Sequence, residues 1–336
     1  METFFVGVDA HRTVTQLAVI DSAGKLVHQA RVASTRAAVG EALRGIKGTK
    51  HAVVEASYNW GVMYDCLSEI CEEVVLAHPA RVRAIADAKI KTDSIDAITL
   101  AQLLRMDYIP EAYAPTAEIR ARKRVLRQRL YLVCMRTQVK NRIKALVAQH
   151  PLEQPKVRDL FGKGGMAWLN ELCLPEPDQG LLAENLVLLA VFNERIAATD
   201  SVIADLAAGD PAVAWLKSLP GIGPFFSVLI RYEVDNITRF PSAKKFASYT
   251  GLVPSTYASA ARITHGRLTK QGNKWLRWAL VEAVQPAIRC SPSLRCFYER
   301  LRRRRGVKEA RVATARKLAE LIWTIWTEQR LFAELR

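Results

Sequence analysis

The segment KTDSIDAITLAQLL, residues 91–104, sets Asp93 and Asp96 three apart at the head of an apolar helical pattern. Residues three apart share a helix face, so the two carboxylates repel by roughly a few tenths of a kcal/mol. An acidic first turn facing the helix dipole accounts for such a pair without any chemistry. Two more acids stand at the ends of apolar runs: Asp9 in FFVGVDA (4–10) and Glu55 in HAVVEA (51–56). Singly, a strand-end acid is an ordinary turn residue. The four together raise the question of a shared metal site.

The elements around these acids supply the reason to group them. FFVGVDA, TVTQLAVID (13–21) and KLVHQARVA (25–33) read as strands, with SAGK (22–25) as the hairpin turn between the last two. Helical TRAAVGEALRGI (35–46), strand HAVVEA, helical NWGVMYDCLSEI (59–70) and strand EEVVLAHP (72–79) follow. A short helical piece then precedes the DSIDAITLAQLLR helix. The order β-β-β-α-β-α-β-α is that of a ribonuclease-H-like fold. Such folds collect carboxylates on the first strand, at the end of the fourth and in the closing helix. Asp9, Glu55, Asp93 and Asp96 occupy those places. Like charges about 5 Å apart at an effective dielectric near 20 repel by roughly 3 kcal/mol per pair, which bound cations or raised pKa values relieve. Oxygen ligands without His or Cys suit Mg²⁺ or Mn²⁺. Two such ions stabilise the attacking and leaving oxygens of a phosphodiester displacement.

The whole chain suits a polyanionic partner. Its 336 residues hold 49 Lys plus Arg against 33 Asp plus Glu, a net charge of +16. The excess peaks at 116–150, where one long helix carries ten Arg or Lys and one Glu, among them Arg122, Arg127, Arg129, Arg136 and Lys140. A merely solvated face usually mixes signs, so these residues are candidate nucleic-acid contacts. A second long helix (178–208) is expected to pack on it as an antiparallel pair. Farther on, SLPGIGPFFSVLI (218–230) reads as a helix-hairpin-helix type turn. Gly221 and Gly223 would admit a phosphate there, although an ordinary tight loop explains them equally. Residues 246–280 interleave Ser, Thr, Gly, Arg and Lys unlike a core segment, and RLRRRR (300–305) is a further arginine cluster. Trp323 and Trp326 read as core anchors. Six cysteines without a CxxC pair read as reduced thiols, mostly in the core. With no signal-like opening and no run of 18 apolar residues, a soluble cytoplasmic protein is expected, with no membrane association.

At this point the sequence resembles the transposases of insertion-sequence family 110 and the related Piv-type DNA invertases. GVDAH (7–11), VEAS (54–57) and KTDSIDA (91–97) are similar to the family's DEDD motif in a RuvC-like domain. LPGIG, GLVPSTYASAARITHGRLTKQGNKWLR (251–277) and ATARKLAELIW (313–323) are similar to its C-terminal transposase domain. The resemblance implies an α/β fold plus α. A RuvC-like domain would span 1–150, its core being 1–112 and the rest the long basic helix. A coiled-coil-like helical linker (151–208) and a mainly helical transposase domain (209–336) would follow. It also implies a serine nucleophile eight residues after the Gly of GL-x-P, which is Ser259, forming a phosphoserine link to DNA. Arg267, Lys270 and Arg277 would join the nucleic-acid contacts. A structured bridge RNA would pair with donor and target DNA, and homodimers would join into tetramers with shared active sites. Two positions depart from the family pattern: Ala260 stands where Gly usually follows the serine, and Tyr58 where Gly follows Glu-Ala-Ser. Ser255 is the alternative nucleophile. The main rival is a hydrolytic junction-resolvase type nuclease in which Ser259 is only a loop residue; a third reading is a silent nucleic-acid-binding protein.

Overall fold

The computed structural model describes residues 2–86, 92–153, 155–259, 262–269 and 271–335. They form two compact units, Met1–Ala117 and Glu118–Arg336.

The first unit runs β1 (Thr3–Ala10), β2 (Val14–Ile20), β3 (Leu26–Ala33), α1 (Arg36–Arg44), β4 (Thr49–Glu55), α2 (Trp60–Ser68), β5 (Glu73–Ala77), α3 (Pro79–Ile85) and α4 (Asp93–Arg105). This is the element order expected from the pattern. The strands make one sheet ordered β3-β2-β1-β4-β5, with β1, β4 and β5 parallel and β2 and β3 antiparallel. Alternation along β1 decides what each face meets. Phe4, Val6, Val8 and Ala10 pack with Val39 and Leu43 of α1 and Met63 and Leu67 of α2. On the other face Val53 and Ala77 pack with Val82 of α3 and Leu100 and Leu103 of α4. Gly7 points to this second face. A Cβ there would lie 1.9 Å from the Ala97 carbonyl oxygen and 2.6 Å from the Ala101 nitrogen. Only glycine lets α4 lie this close to β1.

The second unit begins with α5 (Ala117–Val147), α6 (Lys163–Glu171) and α7 (Asp178–Ala207). Arg129 meets Asp200, Arg136 meets Asn193 and His150 meets Asp178, so α5 and α7 are antiparallel as expected. Val139, Ile143 and Val147 pack against Leu182 and Leu189 along this pair. The chain continues through α8 (Pro211–Ser218), α9 (Pro224–Val234), α10 (Ala243–Tyr249), β6 (Pro254–Ser259), β7 (Arg262–Leu268), α11 (Lys274–Cys290), α12 (Pro292–Arg305) and α13 (Val307–Thr327). Helices α8 to α13 enclose a large apolar core in which Trp326 is buried, and Trp323 Nε1 donates to the Phe240 carbonyl at 3.0 Å. The antiparallel β6–β7 hairpin was not expected. Thr256, Tyr257, Ile263 and Thr264 are strand-favouring residues, and the Ser and Gly around them hid the signal. The cysteines depart from expectation too: Cys66 and Cys71 are buried, but Cys134, Cys173, Cys290 and Cys296 sit on outer surfaces.

Candidate active site

The acids come together through strand register. The parallel β1–β4 register ends with Val8 opposite Val54, so the next residues, Asp9 and Glu55, stand side by side. Both follow the alternation of Gly7 and Val53 and therefore face α4. Thr92 caps that helix, its Oγ1 accepting from the Ile95 N–H at 3.3 Å. Asp93 and Asp96 occupy the first turn. Glu55 and Asp96 line one cleft of about 160 Å³ together with Arg83 and Thr99. The sequence pattern placed four acids on three elements, β1, β4 and α4; the fold brings those elements to one end of the sheet.

One residue enters that grouping by fold rather than by pattern. His11 Nε2 lies 3.2 Å from Asp9 Oδ2 and 3.4 Å from Asp93 Oδ1. One ligand atom from each of Asp9, His11 and Asp93 falls within 4.8 Å of the others. The structure thus places an imidazole beside the expected oxygen donors. His11 follows β1 by a single residue, close enough to curl back over Asp9, and only the motif GVDAH hinted at it.

Electrostatics in the cleft follow from burial and crowding. Burial pushes the Asp9 carboxyl above its ordinary range; His11 pulls it down, while Asp93 and Asp96 push it further up. Glu55 is raised by burial first and by Asp9 next, with Arg83 opposing. Two acids that resist ionisation beside Asp93 and Asp96 make a site whose charge a cation would neutralise.

Ser259 ends β6, with Arg262 as its cross-strand partner in the hairpin. Lys270 lies outside the described residues. Arg267 is exposed on β7 and Arg277 is half-buried in α11. Ser255, the alternative nucleophile, donates its hydroxyl to the Arg267 carbonyl at 3.2 Å, a strand-pairing role.

The basic helix holds its arginines differently from a solvated face. Arg127 makes a bidentate pair with fully buried Glu233, Nε to Oε1 at 2.8 Å and Nη2 to Oε2 at 3.0 Å. Asn273, which caps α11, donates to the same carboxylate at 2.8 Å. Arg129 grips Asp200 and lies 4.3 Å over the Phe225 ring. Arg122 meets Glu118 and donates to the Tyr232 hydroxyl at 2.9 Å. Arg136 reaches Asn193, and Lys140 sits 4.7 Å over Phe161. Each of these candidate contacts is engaged within the chain. At the GIG turn Gly221 is needed for packing: its φ is +88°, and a Cβ would meet the Ala283 carbonyl oxygen at 2.4 Å. Gly223 faces open space, bordering a groove with Phe225 and Trp278.

A sheet with acids converging at one end, joined to a helical second unit, is the architecture of a DEDD-type strand-transfer enzyme, and comparison with known proteins agrees. A profile of DEDD-type transposases of insertion-sequence family 110 matches residues 6–151, and the profile described as "Transposase IS116/IS110/IS902 family" matches 213–299. The chain is 25% identical over 340 residues to the transposase for insertion sequence element IS1111A of Coxiella burnetii, covering 97% of this chain and 90% of the relative. Another relative, the transposase for insertion sequence element IS1328 of Yersinia enterocolitica, is 24% identical over 280 residues, 80% of this chain and 81% of its own. A Pseudomonas aeruginosa protein named "Probable family 20 transposase" is 26% identical over 238 residues, 68% of each chain. The chain belongs to the insertion-sequence family 110 transposases, enzymes that cut and rejoin DNA. Its mixed five-stranded unit fits the RuvC-like N-terminal domain of that family. Among the described residues no helix is long and apolar enough to cross a membrane.

Proposed function

We propose that Asp9, Glu55, Asp93 and Asp96 hold divalent cations, Mg²⁺ or Mn²⁺, and that Ser259 is the nucleophile that attacks a DNA phosphate. The observation that carries the metal reading is the parallel register that sets Asp9 beside Glu55 on the sheet face covered by α4. The donor chemistry fits such ions: carboxylates suit hard divalent cations, and the His11 imidazole favours Mn²⁺ over Mg²⁺. When bound, the ions polarise the scissile phosphate and stabilise the departing oxygen. The chain's own task is to bring Ser259 Oγ in line with that phosphate. One P–O ester bond breaks as the Oγ–P bond forms, and the phosphoserine link preserves the ester for rejoining. A serine hydroxyl is a weak nucleophile at neutral pH, so Ser259 has to act at the acidic cleft, within one chain or across a dimer.

In this reading residues 1–150 form the cation-binding domain with its basic helix, 151–208 the helical linker and 209–336 the serine-bearing domain. A structured bridge RNA chooses donor and target by base pairing, while the protein grips backbone and shape, consistent with the +16 charge. Homodimers joined into tetramers, acting in the cytoplasm, complete the assembly. Among the candidate contacts, Arg136, Lys140, Gly223, Arg267, Lys270 and Arg277 keep the role of touching nucleic acid. The intrachain bonds of Arg122, Arg127 and Arg129 give those three a positioning role first, and Gly221 serves packing.

Calorimetric titration of metal-free protein with Mn²⁺ tests the cation site. Wild type and Ser259→Ala should bind alike, and Asp9→Asn and Asp96→Asn should bind weakly or not at all. Undiminished binding by both acid variants removes the metal reading.

A further inference from the structure

We infer that the corner between α12 and α13 is a second DNA-binding site, one that grips the phosphates flanking a duplex groove. The inference rests on DNA being the substrate and is independent of how the strand is cut. Arg302, Arg303, Arg304 and Arg305 fill the last turn of α12, Gly306 turns the chain with φ +89°, and Lys308 opens α13. Every residue from 302 to 309 is exposed. Successive helical residues are rotated by about 100°, so four arginines in a row surround the helix end instead of lining one face. Among the described residues, the side chains of 302–309 all stand open to solvent around that turn.

Apart from Arg302, the charges there are uncommitted, unlike those on α5. Arg302 pairs with Glu299 at 2.9 Å. Among the described residues no ion pair or hydrogen bond from the side chains of Arg303, Arg304, Arg305 or Lys308 is found, and Glu309 is the one acid in the turn that follows. One or two cations satisfy the dipole at a helix C-terminus; four exceed that need. Four guanidiniums within about 5 Å of helix axis suit the dense, regular charge of a nucleic-acid backbone. The shape favours DNA over duplex RNA. A helix end ringed by arginines can enter the wide major groove of B-DNA and reach both bordering phosphate rows, whereas the A-form major groove is too narrow to admit it.

The test is the salt dependence of binding to a mixed-sequence DNA duplex. One variant carries Arg303→Gln, Arg304→Gln, Arg305→Gln and Lys308→Gln. A second carries Lys25→Gln, Arg31→Gln, Arg44→Gln and Lys47→Gln, exposed positions of the first unit, and so loses the same charge elsewhere. The corner variant should lower the slope of log affinity against log salt by about three and weaken low-salt binding by at least about tenfold. The control should shift the slope by less than about one. Because the corner residues are exposed, both variants should melt like wild type; an Arg→Lys version of the corner should keep most of the slope. Equal slopes for the two glutamine variants, or a loss seen only with a matched RNA duplex, would overturn the inference. Ser259→Ala and Asp9→Asn proteins run in the same assay should retain the wild-type slope. A failure of the catalytic reading therefore leaves this result intact, and the reverse.

Discussion

Asp9 and Glu55 are held in their protonated forms more firmly than free carboxylates, and that has a definite consequence for stability. Burial is the leading cause for both, and the mutual charge adds to it. A carboxyl whose folded pKa lies above its unfolded value binds more protons when folded. Unfolding free energy then falls as pH rises through the interval between the two values. Metal-free wild type should therefore lose thermal stability as pH rises upward from the ordinary carboxylate range. Asp9→Asn removes one of the crowded charges, so its melting temperature without metal should equal or exceed wild type, and the advantage should grow with pH over that interval. Melts in chelator across that range check it; an Asp9→Asn protein less stable than wild type at neutral pH contradicts it. His11 shows where reading by residue type stopped. A histidine just beyond a strand carries no periodic signal, and only the curl of the chain after β1 brings Nε2 between two acids that lie far apart in sequence.

Among the elements, β1, β4 and α4 decide the site, and Gly7 decides how closely they meet. Gly7→Ala would drive a methyl group into the backbone of α4, where no side chain can swing away. We expect a loss of about 3 kcal/mol or more, at or above the usual range for overpacking because backbone must move. Urea unfolding measures it, and cation affinity should fall with it because Asp93 and Asp96 shift with the helix. On α5, Arg127→Ala should cost about 2–3 kcal/mol, at or below the lower end of the range for breaking a buried pair, since the arginine is partly open to solvent while Glu233 is not. An Arg127→Ala protein that unfolds like wild type but binds DNA poorly would mean the arginine serves nucleic acid first. The alternation of β1 and β4 and the apolar period of α4 were legible because burial imposes them residue by residue. The pairing of α5 was not: ten cations in one helix look alike in sequence, and their partners Asp200 and Glu233 are some 70 to 106 residues away.

At the scale of the whole molecule, the +16 charge is sorted by the fold into two kinds. Cations on α5 are largely spent on internal acids and rings, whereas those at the α12–α13 corner stand open. Composition announces a polyanionic partner without saying where it binds; the contacts make that distinction. The same limit applies to chemistry, since the acidic cleft belongs to the first unit and Ser259 to the second. Under the proposed mechanism both act on one phosphate, and the covalent intermediate tests this most directly. Wild type, Ser259→Ala and Asp9→Asn proteins should be incubated with Mn²⁺, guide RNA and a DNA substrate, denatured, and searched by mass spectrometry for a peptide carrying a nucleotide. Wild type should give a DNA-linked peptide with the adduct on Ser259, and neither variant should, although both still bind DNA. An adduct that persists in Ser259→Ala, or recombination by that variant without any adduct, would contradict it.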